Sequence, residues 1–466
     1  MKIPQKPPRW LSLDEKLTDA RRDVLFRRQT EWITADRYLH WNEIRRRPAP
    51  EGFSHEEYWY VLKLSRSGGY RPIGLNDKRG TRFQFGQPNK LTELLHQIDR
   101  GLGLAIGLPE AIAQPATRDR YVVNTLMEEA IASSQLEGAA TTRPIAKEML
   151  RSGRPPRDKS ERMILNNYLT MQRIRDLRSE RLTPEIVFEL HRRVTDGTLE
   201  KPDAAGRFRQ ADENIRVEDM EGTVFHEPPP AEELPGRLEA MCRFANGDEP
   251  QYFVHPVLRA IMLHFWLAYD HPFFDGNGRT ARALFYWSMQ RQDYQLFEFI
   301  SISEILLRAP VRYAEAFLHT ETDDNDLTYF ILHQAEVIRE AVKTLRDYLA
   351  RKKTELQAAS DCLRGMQDLN HRQQVLLAHA LRERHTRYLI GAHQRSHNVT
   401  HQTARDDLFD LAERGLLSFA RAGRAYVFRA PGDLEDKLAK MAGSVAPMGN
   451  AASQTMKLPF KKEEMG

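Results

Sequence analysis

The segment HPFFDGNGRTAR, residues 271–282, determines how the rest of this 466-residue sequence is interpreted. It follows the apolar run AIMLHFWLAY (260–269), which predicts a buried helix, and it leads into RTARALFYWSMQRQ, which predicts a second helix. The Gly-Asn-Gly turn between them therefore places backbone N–H groups at a helix start. Unpaired N–H groups and the helix dipole both favour an anion at such a place. We infer an anion site at this turn.

Four side chains of the same segment suit phosphate chemistry. Arg279 and Arg282 are three residues apart, so they share one face of the helix start, where two guanidiniums can grip a polyphosphate. Asp275 is a hard oxygen ligand suited to Mg²⁺ between phosphates, and His271 can act as a base for an incoming hydroxyl. Each feature alone is also typical of an ordinary turn or helix end. Their combination favours phosphoryl transfer.

Composition and charge exclude several other classes of protein. Apolar residues make up 41% and charged residues 29% of the chain, as in globular proteins. No apolar stretch reaches the roughly 18 residues of a membrane-spanning helix, and the N-terminus lacks a secretory pattern, so we expect no membrane association and a cytoplasmic location. Two distant cysteines, Cys242 and Cys362, predict neither a disulfide framework nor a cysteine metal site. The net charge of +4 does not by itself indicate a nucleic-acid partner.

Pattern changes along the chain divide it into regions. Residues 1–110 have the pattern of a mixed module of unknown role, with a short hairpin within 71–85. Residues 111–350 are mainly helical, apart from a predicted hairpin at 214–225. Thr183 is the predicted N-cap of one helix. The other predicted helices are 121–137, 159–178, 231–246, 255–270, 279–292, 310–320 and 326–356.

The C-terminal part, residues 365–432, has the order of a winged-helix domain. Amphipathic helices are followed by two β-like runs around Gly423. Residues 371–430 hold ten arginines against five acids, so their charge is +5 (10 − 5) with neutral histidines. The remainder, 433–466, looks like a disordered tail. The predicted fold class is therefore mainly α: a helical bundle with a β-hairpin, between a mixed N-terminal module and a winged helix.

The segment 271–282 resembles the Fic (filamentation induced by cAMP) signature HxFx(D/E)GN(G/K)RxxR. The matching positions are His271, Phe273, Asp275, Gly276, Asn277, Gly278, Arg279 and Arg282. The surrounding helices and hairpin extend the resemblance over about 118–348. It implies a helical bundle that transfers AMP from ATP to a Ser, Thr or Tyr hydroxyl of a target protein.

The resemblance also implies a role for each matched residue. His271 would be the catalytic base, and Asp275 would hold Mg²⁺ between the α- and β-phosphates. Asn277, with the amides of Gly276 and Gly278, would form the anion hole. Arg279 and Arg282 would bind the β- and γ-phosphates. Phe273 would anchor the loop in the core. The hairpin at 214–225 would be the flap along which a target segment docks by strand addition.

A possible brake lies upstream, in SSQLEG (133–138). Glu137 falls at the C-terminal end of the predicted helix 121–137, where an acid opposes the helix dipole, and Gly138 suits the position after it. Such an acid is either solvated or paired with a cation. Ser133, Glu137 and Gly138 resemble the inhibitory (S/T)xxxE(G/N) motif of Fic proteins. That resemblance implies that Glu137 pairs with Arg282 and inhibits the enzyme.

Other functions remain open from the sequence. Residues 371–430 could bind DNA through TARDDLFDLAERG, although Asp406, Asp407 and Asp410 on that helix would repel phosphates. The chain would then be a regulator whose core senses nucleotide without turnover. Winged helices also bind proteins or dimerise, so a homodimer is a further expectation. Some Fic enzymes transfer other phosphate-containing groups or remove AMP, and the motif does not exclude these activities.

Overall fold

The computed structural model describes residues 2–103, 115–219, 221–366, 368–382, 386–422 and 425–443. Contacts divide these residues into two compact units. One covers 2–103 and 119–347, and the other covers 115–118 and 348–443. No helix in these ranges is both long enough and apolar enough to cross a bilayer.

The N-terminal part of the first unit is mixed, as predicted. Its elements are α1 (Trp10–Asp14), α2 (Asp19–Thr34), α3 (Trp41–Ile44), α4 (His55–Ser67), β1 (Arg71–Asn76), β2 (Arg82–Phe85) and α5 (Asn89–Gly103). Ser54 and Glu57 form a reciprocal capping box that fixes the start of α4. Strands β1 and β2 are antiparallel, so the hairpin predicted within 71–85 is confirmed.

The rest of the first unit is a helical bundle. Its elements are α6 (Pro115–Leu136), α7 (Arg143–Ser152), α8 (Lys159–Asp176), α9 (Pro184–Thr195), β3 (Val217–Glu218), β4 (Val224–His226), α10 (Leu234–Asn246), α11 (Pro256–Asp270), α12 (Asn277–Arg291), α13 (Ile302–Arg308), α14 (Pro310–Thr322) and α15 (Thr328–Gly365). The predicted helices are confirmed, with shifts at their ends. The predicted start at 231 is wrong because Ala231–Glu233 is a short 3-10 turn.

The centre of the bundle is the pair α11 and α12, which pack against each other. Nearly every side chain of α11 from Val257 onward is buried, which is typical of a helix that is apolar all round. Strands β3 and β4 pair antiparallel, with Val217 opposite His226, so the hairpin predicted at 214–225 is confirmed. The segment between α11 and α12 is therefore held at both ends by helices that are buried in the core of the bundle.

Buried polar contacts join the N-terminal part to the bundle. Lys63 Nζ lies 2.6 Å from Asp323 Oδ1, with both side chains almost fully buried. The hydroxyls of Tyr38 and Tyr70 donate to Asp326 Oδ2 at 2.8 and 2.6 Å. Removing one partner of a buried ion pair costs about 3–5 kcal/mol. Whereas the sequence places a boundary near residue 110, these contacts hold residues 2–103 and 119–347 in one compact unit.

The second unit has its own apolar core. Its elements after α15 are α16 (His371–Arg382), β5 (Tyr388–Leu389), α17 (Ile390–His397), α18 (His401–Glu413), β6 (Ser418–Ala422), β7 (Ala425–Arg429) and α19 (Leu434–Gly443). The sheet order is β5-β7-β6. The predicted helices and strand pair are therefore present, and the identification as a winged helix stays a prediction. Gly423, the expected turn residue, lies outside the described residues.

The predicted disordered tail is wrong over its first part. Residues Leu434–Gly443 form α19, and Leu434 and Leu438 are buried in the core of the second unit. Their spacing of four residues places both on one face of the helix. Burial of that face stabilises the helix, and a disordered tail has no such stabilisation. Residues 444–466 lie outside the described residues.

Candidate active site

The loop between α11 and α12 has a tightly fixed backbone. His271 ends α11 in the left-handed conformation, with φ 44°. The Asn277 side chain accepts from Phe273 N and donates to Phe273 O, both at 2.9 Å. Gly276 is also left-handed, with φ 82°, and a Cβ there would lie 2.6 Å from Thr195 Cγ2. Only glycine fits this position without strain.

His271 is held as a neutral imidazole with one nitrogen available. Its Nδ1 lies 3.3 Å from Ala268 O, a carbonyl that can only accept, so Nδ1 is the donor. The unprotonated nitrogen is therefore Nε2. Burial lowers the pKa of His271 to about 4, with a further contribution from the charge of His226. At neutral pH the ring can accept a proton at Nε2.

Arg209 holds the backbone of His271 and Pro272 in place by hydrogen bonds to their carbonyls. Its side chain donates from Nε to His271 O at 2.8 Å and from Nη2 to Pro229 O. Its backbone N–H donates to Pro272 O at 2.9 Å. The side chain is buried. Sequence reasoning missed this residue, because it lies 62 positions before His271 and belongs to no local motif.

His191, on α9, supports the other side of the loop and was also missed. Its Nδ1 accepts from Gly206 N at 2.9 Å, so Nε2 carries the proton and donates to Asp275 O at 2.8 Å. Its ring stacks on Phe273 with centroids 3.8 Å apart. Burial lowers the pKa of His191 to about 4, which keeps this tautomer neutral. Phe273 is fully buried in this stack, consistent with its predicted role as an anchor.

His226 ties the β3–β4 hairpin to the same region. Its Nε2 faces Tyr269 O at 2.7 Å, and its Nδ1 faces Glu321 Oε2 at 2.8 Å. Both partners are acceptors, so both ring nitrogens donate and the ring is charged. Burial opposes that charge, but the charge and hydrogen bond of Glu321, the Tyr269 carbonyl and Asp270 together raise the pKa of His226. The end of β4 is thus hydrogen-bonded to Tyr269, which lies two residues before His271.

The two motif arginines differ in how their nitrogens are satisfied. Arg282 donates from Nε to Ser133 Oγ at 2.8 Å, and from Nη2 to Ser133 O at 2.9 Å and Glu137 Oε1 at 2.8 Å. Arg279 donates from Nη1 to Val194 O at 3.0 Å. Its Nε and Nη2 are buried and have no hydrogen-bond partner in the described part of the chain. Arg279 therefore keeps two buried donors that make no hydrogen bond.

Glu137 lies directly over the start of α12. Its carboxylate approaches so closely that a Cβ at Gly278 would lie 2.2 Å from Oε1. Burial alone would raise the pKa of Glu137, but the charge and hydrogen bond of Arg282 lower it. The pair is therefore ionised at neutral pH. Gly138 follows in the left-handed conformation, with φ 88°, as expected of the residue after a helix.

The predicted anion hole is partly corrected. The Asn277 side chain is used by Phe273, and Gly276 N donates to Asp275 Oδ1 at 2.5 Å, so neither group faces outward. The N–H groups of Asn277, Gly278 and Arg279 have no acceptor among the described residues. These three first-turn amides are the available donors. The sequence did not reveal this arrangement. The Asn277 side chain bonds within the loop, whereas its backbone N–H is one of the three without an acceptor.

Asp275 is the residue that fits a metal ion. Its side chain is 44% exposed, and Oδ1 lies 3.8 Å from Arg279 Nη2. Within the described ranges no cluster of three His, Cys, Asp or Glu side chains surrounds it. A single carboxylate that leaves the remaining positions to phosphate oxygens and water is a common arrangement for Mg²⁺. The donor set thus fits a cation that arrives with a polyphosphate.

The structure brings the predicted site residues together. His271, Asp275, Gly276, Asn277, Gly278, Arg279 and Arg282 form the loop and helix start, and Ser133, Glu137 and Gly138 meet them from the end of α6. Buried Arg279, the three first-turn amides and neutral His271 lie together at the loop, with the carboxylates of Asp275 and Glu137 beside the two arginines. Such an arrangement can bind a phosphorylated substrate and accept a proton from a hydroxyl.

Comparison with known proteins identifies this region. Residues 181–289 match the Fic/DOC family model. The protein adenylyltransferase Fic of Nematostella vectensis is 37% identical over 107 residues, which are 23% of this chain and 22% of the relative. The Fic protein of Culex quinquefasciatus is 35% identical over 116 residues, 24% and 20% of the two chains. The match thus spans about a fifth of each curated relative. Residues 181–289 are therefore similar to Fic domains.

Solved structures of Fic proteins are also similar. A Fic family protein from Desulfovibrio desulfuricans G20 aligns with a TM-score of 0.49 at 17% identity, covering 74% of this chain and 96% of that one. Fic-1 from C. elegans aligns with a TM-score of 0.47 at 18% identity, covering 71% of this chain and 84% of that one.

Proposed function

We propose that this protein is an adenylyltransferase that moves AMP from ATP to a hydroxyl side chain of a target protein. The observation that carries the proposal is Arg279, a buried guanidinium with two unpartnered nitrogens beside the neutral base His271. Asp275 lies 3.8 Å from Nη2 without forming a hydrogen bond, so both nitrogens keep donors that a polyphosphate can satisfy. The related domains named protein adenylyltransferase support the same reaction.

The proposed reaction is an in-line displacement at the α-phosphate. The target hydroxyl loses its proton to His271 Nε2, its oxygen bonds to the α-phosphorus, and the bond from that phosphorus to the bridging oxygen breaks. Pyrophosphate leaves. Arg279 and the first-turn amides of α12 neutralise phosphate charge, and Mg²⁺ held by Asp275 would add to this neutralisation. Positioning and charge stabilisation supply most of the rate, and the base contributes about 10²–10⁴-fold.

We further propose that Glu137 is the brake. Arg282 uses Nε and Nη2 on Ser133 and Glu137, so these nitrogens cannot grip a γ-phosphate at the same time. The Glu137 carboxylate also lies beside Gly278, where a phosphate would approach the helix start. ATP could then bind only in an unproductive position until Glu137 moves away.

The flap is the proposed docking element for the target. Strand β3 pairs with β4, and within the described residues its other edge has no strand partner. Val217 and Glu218 are exposed on this strand. An extended segment of a target protein could add to that edge through main-chain hydrogen bonds. His226 bonds the hairpin close to His271, which would set the distance from the docked segment to the base.

The nature of the transferred group tests the proposal. The Glu137→Gly variant is incubated with Mg²⁺, a cell lysate and ATP labelled at either the α- or the γ-phosphate. We expect protein to be labelled from α-labelled ATP and not from γ-labelled ATP. Label from the γ position would mean a kinase-like transfer and would refute the proposal. Loss of label from protein that already carries AMP, without any transfer, would point to AMP removal instead.

A DNA-binding regulator is the second candidate, and one observation favours it. Asp407, which the sequence suggested would repel phosphates, is buried and paired with Arg372 at 2.7 Å. Its charge is therefore neutralised, and Asp410 is paired with Arg414. Salt-dependent binding of duplex DNA, weakened in Arg405→Gln and unchanged in Arg308→Gln, would support this role. Binding that ignores Arg405 and salt would contradict it.

A further inference from the structure

Glu129 is a buried carboxylate on α6 that the proposed reaction does not use. It is 2% exposed and lies eight residues (137 − 129) before Glu137, which is about 12 Å along the helix axis. A buried charged group is costly unless hydrogen bonds satisfy it. Its neighbours Leu126 and Ala130 are buried apolar residues, and an apolar side chain at 129 would pack beside them without that cost. Packing alone does not account for a carboxylate at this position.

Four hydrogen bonds satisfy the Glu129 carboxylate. Oε1 accepts from Ser303 Oγ at 2.5 Å, and Oε2 accepts from Ser303 N at 3.1 Å. Oε2 also accepts from Ser301 Oγ at 2.9 Å and from the Tyr286 hydroxyl at 2.8 Å. Burial and the charge of Glu129 raise the pKa of Tyr286, so its hydroxyl keeps the proton that it donates. These bonds join α6 to α12 at Tyr286 and to the start of α13, whose N-cap is Ser301.

The same faces of α6 and α12 carry the proposed brake. Glu129, Ser133 and Glu137 are spaced by four residues, so they follow one face of α6 to its end. Tyr286 and Arg282 have the same spacing on α12. Glu129 bonds Tyr286. Ser133 and Glu137 bond Arg282. The two helices are thus joined at successive turns, and the contact at Glu129 is the deeper one, because the Glu137 side chain is 26% exposed.

A small displacement of α6 would break its contact with Arg282. Ser133 Oγ, Ser133 O and Glu137 Oε1 lie 2.8, 2.9 and 2.8 Å from the Arg282 nitrogens. A hydrogen bond is lost beyond about 3.5 Å, so a shift of roughly 1 Å away from α12 removes these contacts. Glu129 opposes such a shift because its bonds reach two other elements, α12 and α13.

We propose that Glu129 is the positioning residue of the brake. It sets the register of α6 against α12, so that Ser133 and Glu137 meet Arg282 without adjustment. The proposal rests on the brake proposed for Glu137, and it adds the second contact on which that brake depends. A change that loosens the segment Ser301–Ser303 would then release Glu137 without touching the active-site loop.

Glu129→Gln tests the proposal, because its NH2 group replaces an oxygen that only accepts. AMP transfer from α-labelled ATP is measured for the full chain as wild type, Glu129→Gln, Glu137→Gly and the double variant. We expect Glu129→Gln to raise the rate about 3–10-fold over wild type, the effect of losing one hydrogen bond that favours the inhibited position. The double variant should stay within about twofold of Glu137→Gly, since no brake remains to be positioned. Ser303→Ala keeps the carboxylate and removes one donor, so it should give a smaller activation.

Asp407→Asn is the matched control. Asp407 is 5% exposed and belongs to the second unit. Its carboxylate also accepts four hydrogen bonds, from Asn370, Arg372 and His393. Both substitutions should lower the melting temperature, and only Glu129→Gln should raise the rate of AMP transfer.

Hydrogen exchange of residues 130–138 measures the same contact without catalysis. Their amides should exchange faster in Glu129→Gln than in wild type, and at the wild-type rate in Asp407→Asn. Unchanged exchange in Glu129→Gln would overturn the proposal, as would a wild-type rate of transfer in that variant beside an activated Glu137→Gly.

Further activation of Glu137→Gly by Glu129→Gln would also overturn the proposal, because Glu129 would then act on the catalytic groups. Equal losses of rate with and without Glu137 would mean that Glu129 only supports the fold. Absence of AMP transfer in Glu137→Gly would instead refute the proposed function, and the exchange rates would still decide the role of Glu129.

Discussion

Two segments come together near the start of α12, and they are held in place very differently. One is the loop 271–276, and the other is the end of α6, residues 133–138, which bonds Arg282. The loop is fixed from several sides by Arg209, His191 and Asn277. The end of α6 reaches the active site through Ser133 and Glu137, and the Glu137 side chain is still 26% exposed. The geometry proposed for catalysis is thus fixed by several contacts, and the brake proposed for Glu137 would be a contact that can be removed without disturbing that loop.

The largest expected effect comes from removing the base. His271→Ala on the Glu137→Gly background should lower the rate of AMP transfer by about 10²–10⁴-fold, because Nε2 no longer accepts the proton. The rate is measured with α-labelled ATP under single-turnover conditions. Unchanged binding of ATP in the double variant is the control for correct folding. A rate within threefold of the Glu137→Gly parent would contradict the role of His271.

The rigidity of the loop is tested next, through Arg209. Arg209→Met should lower kcat by about 10–100-fold with little change in KM, since a shift of about 1 Å in a positioned group costs up to a hundredfold. Arg207→Met is the matched control, because Arg207 pairs with Asp203 and Glu213 away from the loop. Equal losses in the two variants would mean that Arg209 acts only through general stability.

The closeness of Glu137 to Gly278 predicts a milder activation. A methyl group at 278 would lie 2.2 Å from Glu137 Oε1, so Gly278→Ala should push the carboxylate aside and weaken the brake. AMP transfer should rise a few-fold over the wild-type rate. On the Glu137→Gly background the same substitution should give no activation. Activation on both backgrounds would show that the methyl group acts on the nucleotide and not on Glu137.

The smallest expected effect is a pH dependence of stability from His226. Its folded-state pKa is raised, with burial opposing and Glu321 favouring the charged ring. Its contribution is therefore complete below the unfolded pKa of about 6.5 and is lost as the pH rises through the folded pKa. Asp270 and His271 also face this ring.

Denaturant unfolding of wild type and His226→Gln across pH 6–9 measures this contribution. The difference in free energy of unfolding should shrink as the pH rises. A difference that grows with pH would mean that His226 is neutral in the folded protein.

Contiguous residues were predictable from the sequence, and distant partners were not. His271, Asp275, Arg279 and Arg282 lie in one segment, so the sequence alone placed the first two in the loop and the two arginines on the helix that follows it. Arg209 and His191 contact that segment from 62 and 84 positions away, where no periodicity connects them to it. The bonds of the Asn277 side chain to Phe273 were not predicted either, since the geometry of the loop decides which backbone groups that side chain meets.

The same limit applies to the fold. Helices with a strong apolar period were found, and their ends shifted by a few residues where capping decided them. The join between residues 2–103 and the bundle depends on pairs such as Lys63 and Asp323, 260 positions apart, which leave no local signal. Helix α19 was missed because its short apolar face is followed by a polar, glycine-containing stretch.

The most direct test of the account compares AMP transfer by wild type, Glu137→Gly and Gln135→Gly. Gln135 is on the same helix end and bonds Thr141 O, so its replacement by glycine controls for local flexibility. A charge-assisted hydrogen bond contributes about 1.5–3 kcal/mol, so its removal should raise the rate about 10–100-fold in Glu137→Gly and leave Gln135→Gly unchanged. Transfer by Glu137→Gly no faster than by wild type would contradict the claim that Glu137 restrains a preformed active site.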